Sequence, residues 1–163
     1  MKKAKSILVL VLAFAMILSV TACSKKPIDE DEFEEIMEDK FDFEVEDGAT
    51  SKDIDEARYA YDEDNDYYVN FTLYKDTDDA EDEVADYIDE IEEAKDDKDF
   101  DGKITKSGSG KYQKITVKGE HDDWGDMYVV IIRADNMVIM TGTDSVKDKR
   151  VDQINKIVKG LGY

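Results

Sequence analysis

The stretch Met127-Tyr128-Val129-Val130-Ile131-Ile132-Arg133-Ala134 is the feature that most constrains the fold of this chain. It is a run of aromatic and β-branched residues with one charge, the composition of a strand, and it is the most apolar segment downstream of residue 22. Asp135-Asn136 follows, two residues that tolerate φ > 0, and Met137 to Thr141 then returns. Two such runs joined by two turn residues make a hairpin. A chain organised around it has an antiparallel sheet, and this strand belongs at the centre.

The rest of the chain supplies further strands and three helices. Asp29 with Glu32 has capping-box spacing, and Ile28 can staple onto Phe33, so a helix is expected from about Glu30 to Lys40 with Phe33, Ile36, Met37 and Phe41 inward. Phe41 to Val45 alternates as a short strand, and 46–53 reads as loop. Ala57 to Tyr61 and Tyr67 to Tyr74 are strands about an acidic turn at 62–66, with Tyr67, Val69, Phe71 and Leu73 on one side. Asp76 to Asp79 opens a second helix with the stripe Ala80, Val84, Tyr87, Ile88 and Ile91, ending near Lys95. Lys103 to Lys106 is a weak strand, Ser107 to Gly110 a flexible turn and Tyr112 to Lys118 a strand. Asp144 or Ser145 is expected to cap a last helix burying Val151, Ile154, Ile157, Val158 and Leu161. The sum is an α+β domain, an antiparallel sheet of about six or seven strands packed with three amphipathic helices.

Charge is abundant and unevenly placed. The chain carries 42 Asp and Glu against 22 Lys and Arg. Residues 24–101 hold 34 acids and 8 bases, whereas 102–163 hold 8 and 11. Phosphates would be repelled by this balance, which excludes nucleic acid as a partner and suits cationic ones, or solubility alone. Nine Tyr and six Phe, set in periodic segments, exclude disorder.

The N-terminus reads as a targeting segment. Met1-Lys2-Lys3-Ala4-Lys5 is basic, Ile7 to Leu18 is apolar, and Val20-Thr21-Ala22-Cys23 ends the run. A basic start, a short apolar stretch and small residues form an export signal. The apolar run is too short to span a bilayer, which takes ~20 residues. The Val-Thr-Ala-Cys ending resembles the lipobox of bacterial lipoproteins, with Val20 in place of the commoner Leu. That resemblance implies a signal peptide over 1–22, cleavage before Cys23 and a lipid thioether on Cys23, the chain's one cysteine. Residues 23–28 would be lipidated Cys and tether, and 29–163 a single domain. Two or three acyl chains hold a protein stably on a membrane. Ser24 to Pro27 extends at most ~15–20 Å, so the domain would stay close to the extracytoplasmic face of the cell membrane. Lys25 and Lys26 would sit among anionic headgroups. A plain secretory signal cut after Ala22 would instead leave a free thiol.

The plan as a whole resembles a group of small secreted lipoproteins of clostridial-type bacteria. The resemblance rests on Cys23-Ser24-Lys25-Lys26-Pro27-Ile28 leading into Phe33, on the strand and acidic helix from Tyr67 to Ile91, and on Val158-Lys159-Gly160-Leu161-Gly162-Tyr163. It implies location and α+β character, and no site residues.

Catalytic sets are poorly represented. His121 is the one histidine, and a lipidated Cys23 leaves no thiol for Cys-His or zinc-cluster chemistry. Asp97-Lys98-Asp99-Phe100-Asp101-Gly102-Lys103-Ile104 matches the first eight positions of a calcium loop, with Asp97, Asp99, Asp101 and the Lys103 carbonyl as ligands. It departs at position twelve, where Gly108 stands in place of a bidentate Glu. An acidic turn after an acidic helix would look the same. Glu120 to Asp126 holds His121 and the chain's one Trp, Trp124, between two strands. A Trp among acids could stack on a sugar or a partner's cation, or fold back onto the sheet edge. The expected function is a membrane-anchored binding or interaction module, with a cationic or envelope protein as partner. The alternatives are a carboxylate-dependent envelope enzyme built around His121 and Trp124, or an immunity or stability factor covering a membrane-proximal protein.

Overall fold

In the computed structural model, which describes residues 25–62, 64, 66–96 and 98–163, the central hairpin joins β6 (Gly125–Ala134) to β7 (Met137–Thr143). Asp135 takes φ 55° in the turn, and Ala134 pairs with Met137 across it. Seven strands form one antiparallel sheet. The others are β1 (Glu44–Asp47), β2 (Ile54–Tyr61), β3 (Tyr68–Tyr74), β4 (Phe100–Ser109) and β5 (Tyr112–His121). Their order is β1-β2-β3-β7-β6-β5-β4. Two meanders, β1 to β3 and β4 to β7, therefore meet at the β3–β7 pairing, where Phe71 stands opposite Ile139.

Three helices cover both sides. Helix α1 (Glu30–Glu35) runs into a π-helical turn, Ile36–Lys40. Asp29 caps α1 by accepting from the Glu32 backbone N–H at 2.9 Å. Helix α2 spans Thr77–Asp96 and α3 spans Asp148–Gly160. Helices α1 and α3 pack on the first face, where Phe33, Ile36, Met37, Ile154, Ile157 and Val158 meet Val69, Phe71, Val130, Ile132 and Ile139. Phe33 stacks on Phe71 at 5.1 Å between ring centroids. Helix α2 packs on the second face, with Val84, Ile88 and Ile91 against Phe100, Ile115, Val117, Val129 and Ile131. Strand β6 serves both cores, which is why its sequence is apolar at successive positions. Each Phe, Ile or Val so enclosed contributes about 1.5–3 kcal/mol of hydrophobic stabilisation.

Two arginines, one buried and one partly so, join the layers. Arg133, almost fully enclosed on the second face, pairs with Glu81 of α2 at 2.9 Å and donates to the Gly110 carbonyl at 2.6 Å. Arg58 of β2 pairs with Glu30 at 2.6 Å and with Glu34, fastening α1 to the sheet. Its guanidinium is held more firmly protonated, first by the hydrogen bond to Glu34.

The sequence expectations hold for element order, for the Asp29 cap and for the inward side of β3, and they need revision at four joints. The strand expected over 41–45 begins at Glu44, because Asp42 turns the chain at φ 57° and drops Phe43 into the core. The weak strand at 103–106 and the flexible turn after it are one long strand. Pairing of Gly108 with Gln113 and Ser109 with Tyr112 leaves only Gly110-Lys111 as the turn. Strands β5 and β6 extend into the expected loop, which shrinks to 122–124. Helix α3 starts later than expected, after Lys147, and has no side-chain cap; Ser145 Oγ instead accepts from the Lys147 N–H at 3.3 Å. In the 62–66 turn, Glu63 and Asn65 lie outside the described residues.

Candidate functional site

His121 and Trp124 are brought together by the tight β5–β6 hairpin. His121 ends β5 opposite Gly125, whose φ of 74° lets the chain reverse within three residues. Strand alternation points His121 to the second face, where it is 6% exposed at the end of the α2 core. The rings of His121 and Trp124 lie face to face, 4.0 Å apart and 13° from parallel. His121 Nδ1 accepts from the Asp123 backbone N–H at 3.1 Å, which places the neutral ring's proton on Nε2. Trp124 itself is 53% exposed. One ring face covers the histidine, and much of the indole remains open to solvent in a hairpin whose neighbouring Asp122 and Asp123 are exposed. Trp124 thus folds back onto His121 at the sheet end with about half of its surface still exposed.

Behind this hairpin, on the first face, lies a trough of 570 Å³. It exists because α3 packs on β6 and β7 and leaves β4 and β5 uncovered there. The register sets its charges in rows. Asp101 stands opposite Glu120, and Glu120 opposite Asp126, across three strands; Lys103 stands opposite Lys118 in the next row. Like charges directly opposite repel, and a row of the other sign two residues along offsets this. Tyr128 closes the inner side and donates to Asn155 Oδ1 of α3 at 3.1 Å. Burial raises its pKa above the ordinary phenol value. Sequence reasoning did not join Lys118, Glu120, Asp126 and Tyr128 into one surface. Period-two alternation was the available signal, but the register that aligns the rows depends on the Gly110-Lys111 turn.

The residues of the calcium motif are arranged differently from a wrapped loop. Asp97 lies outside the described residues. Asp99 precedes β4, and its carbonyl accepts from the Asp122 N–H at 2.8 Å. Asp101, Gly102 and Lys103 are within β4, paired in extended conformation with Glu120, Gly119 and Lys118. Gly102 here serves packing: a Cβ on it would lie 2.3 Å from the Phe100 ring and 2.6 Å from the Lys118 carbonyl. Among the described residues, no group of three or more His, Cys, Asp or Glu is placed to hold a metal ion.

Cys23 and Ser24 also lie outside the described residues, which begin at Lys25. Lys25 Nζ donates to the Gly162 carbonyl and lies 5.9 Å from the centre of the Tyr163 ring. Tyr163 Oη donates to the Lys26 carbonyl at 2.6 Å, and Ile28 is buried in the first-face core. Lys114 on β5 is near enough to Lys25 to feel its charge, which adds to burial in lowering the Lys114 pKa. Among the described residues, no helix is long and apolar enough to cross a membrane. No protein-family model, no curated protein and no solved structure matches this chain, so what the site does rests on the chemistry of its own residues.

Proposed function

We propose that this chain is a lipoprotein held to the extracytoplasmic face of the cell membrane by a lipid on Cys23, and that its domain is a binding module without catalytic activity. The observation that carries the binding role is the stacking of half-exposed Trp124 on buried His121. A histidine acting in acid–base chemistry needs a nitrogen facing a reactant. In His121 one ring face is covered, Nδ1 is occupied by a backbone N–H, and the residue is buried, so Nε2 has little access to a reactant. What remains outward is a flat indole framed by carboxylates, which suits capture of a cation-bearing or sugar-bearing partner.

The docked tether supports the membrane reading. With Lys25 and Lys26 fixed to the C-terminal residues, Ser24 alone separates Cys23 from the folded domain. Lys25, Lys26 and Lys114 gather near this attachment point, where anionic headgroups would attract them. The acid-rich helix α2 is on the other side of the sheet.

Cys23→Ala should abolish palmitate incorporation and release the protein from the membrane fraction; unchanged labelling would remove the localisation. For binding, envelope extract passed over immobilised wild-type protein should yield a partner that Trp124→Ala no longer retains. Equal retention by both proteins would take the binding role away from Trp124.

A further inference from the structure

The second face of the sheet extends beyond α2. Helix α2 packs on β3, β4, β6 and β7, while β1 and β2 continue past it. The register lays out what that extension carries. Glu44, Tyr61, Tyr68 and Gly142 form one cross-strand row, and Glu46, Tyr59, Asn70 and Met140 form the next. All eight point to the second face, because their neighbours Val45, Ala60, Val69, Phe71, Ile139 and Thr141 point to the first.

These side chains make an aromatic shelf. Tyr59 is 37% exposed, and its ring lies 5.4 Å from that of Tyr61. Tyr68 lies down across the sheet in space that Gly142 provides; a Cβ on Gly142 would be 2.5 Å from the Tyr68 hydroxyl. Tyr87 of α2 and Tyr59 flank Tyr68 closely enough to add to burial in raising its pKa. Beside the shelf, Asn70 Oδ1 is a buried acceptor without a hydrogen-bond partner, at a small cavity it shares with Glu83 and Tyr87.

The frame of the shelf has one sign of charge. Glu44 and Glu46 are exposed along β1, and Tyr61 donates to Glu46 at 2.9 Å. On the opposite side stand Glu83, Asp86 and Glu90, exposed on an α2 that carries eleven acids and one lysine. Arg58, the basic residue of β2, is turned to the first face and occupied by Glu30 and Glu34. Tyrosine faces attract cations, guanidinium above all, and flanking carboxylates add attraction and steering. A neutral glycan would use the rings and gain nothing from the frame. Aromatic residues inside a charged rim are also the make-up of a protein-binding surface.

We propose that this tyrosine shelf docks a cationic segment of a partner protein, with arginine side chains laid on Tyr59 and Tyr61 between the β1 and α2 carboxylates. The surface is separate from Trp124, so this proposal and the role given to Trp124 can fail independently.

The test uses the full chain purified in detergent and a synthetic peptide alternating Arg and Ser, with a Lys-Ser peptide of equal charge alongside. The Arg peptide should bind more tightly than the Lys peptide. It should shift the backbone NMR signals of residues 44–46, 59–61 and 68–70. Tyr59→Ala with Tyr61→Ala should weaken it about tenfold, the loss of two cation–π contacts. Tyr59→Phe with Tyr61→Phe should retain it, since the rings remain. Asp148→Asn with Asp152→Asn, which removes two charges from α3 on the first face, should change it less than twofold. Should the alanine pair fail to fold, Glu44→Gln with Glu46→Gln must weaken binding instead. Equal affinity for the two peptides, shifts confined to the first face, or tighter binding of a neutral chitin oligosaccharide would each overturn the proposal.

Discussion

Tyr163 Oη donates to the Lys26 carbonyl at 2.6 Å, so a side chain just past α3 closes on a residue three places after Cys23. The same ring stacks on Tyr112 of β5, 6.2 Å away and 13° from parallel. Through this one residue the segment at Lys26, the end of α3 and the sheet are held together.

Tyr163→Phe removes the hydrogen bond and keeps the ring. The expected loss is about 1 kcal/mol, a fall in Tm of about 2–4 °C. Tyr163→Ala also removes the stacking and should cost more. The diagnostic readout is trypsin cleavage after Lys25, the tether lysine not followed by proline, which should accelerate in the alanine variant well below its Tm. A tether cut at the wild-type rate would mean that Tyr163 does not hold it.

Gly119 and Gly102 face each other across β5 and β4 so that the Phe100 ring can lie over them. A Cβ on Gly119 would sit 2.5 Å from the Asp101 carbonyl and 2.6 Å from Gly102 Cα, both backbone atoms. Neither can swing aside as a side chain would, so Gly119→Ala should destabilise by about 1–3 kcal/mol, as overpacking does. Thermal melts of the variant should show this, whereas Gly110→Ala, with nothing within 4 Å but φ of +61°, reports the backbone term alone. Equal effects at the two positions would refute the packing role of Gly119.

Much of this fold is legible in the sequence because its elements are strongly periodic. The stripe of α2 from Ala80 to Ile91 and the alternation of β3 from Tyr67 to Leu73 each point to one covering layer. The joints were less legible. Phe43 looks like a strand residue by alternation, and a positive φ at Asp42, a three-dimensional choice, makes it a core residue. Ser107 to Ser109 carry turn residues, and partners on β5 override that local preference. The site divides in the same way. His121 and Trp124 stand out by rarity and proximity, while the trough and the tyrosine shelf are assembled by register, which no single segment encodes.

The phenols give the protein an alkaline limit. Burial lifts Tyr74 and Tyr163 to about 12, and Tyr68 rises for the same reason with help from Tyr87 and Tyr59. Tyr61 also rises to about 12, chiefly through its hydrogen bond to Glu46. Raised values in the folded state mean that folding favours the neutral phenol. This contribution is complete below the ordinary phenol pKa of about 10 and is lost as pH climbs from there towards 12. Phenolate absorbance should therefore rise in two phases, the second accompanied by unfolding, and Tm should fall across the same window. A single titration of all nine tyrosines near pH 10 with the fold intact would contradict the assignment.

Calcium offers the last test, because the Asp97 to Ile104 motif and the sheet make opposite demands on the same residues. A calcium loop wraps its first, third, fifth and seventh positions around one ion. Asp101 and Lys103, the fifth and seventh, are instead fixed along β4 by pairing with Glu120 and Lys118. The carbonyl of Gly102 between them accepts from Lys95 Nζ at 3.2 Å. Wrapping would require breaking this part of the ladder. Millimolar calcium should still raise Tm, because screening relieves repulsion in so acidic a chain, most of all where the α2 acids meet the negative end of the helix dipole. The expected result is that sodium at equal ionic strength reproduces the whole rise, and that Asp99→Asn leaves it unchanged. A calcium increment beyond sodium and magnesium that Asp99→Asn abolishes would establish a specific site, with linkage giving its affinity.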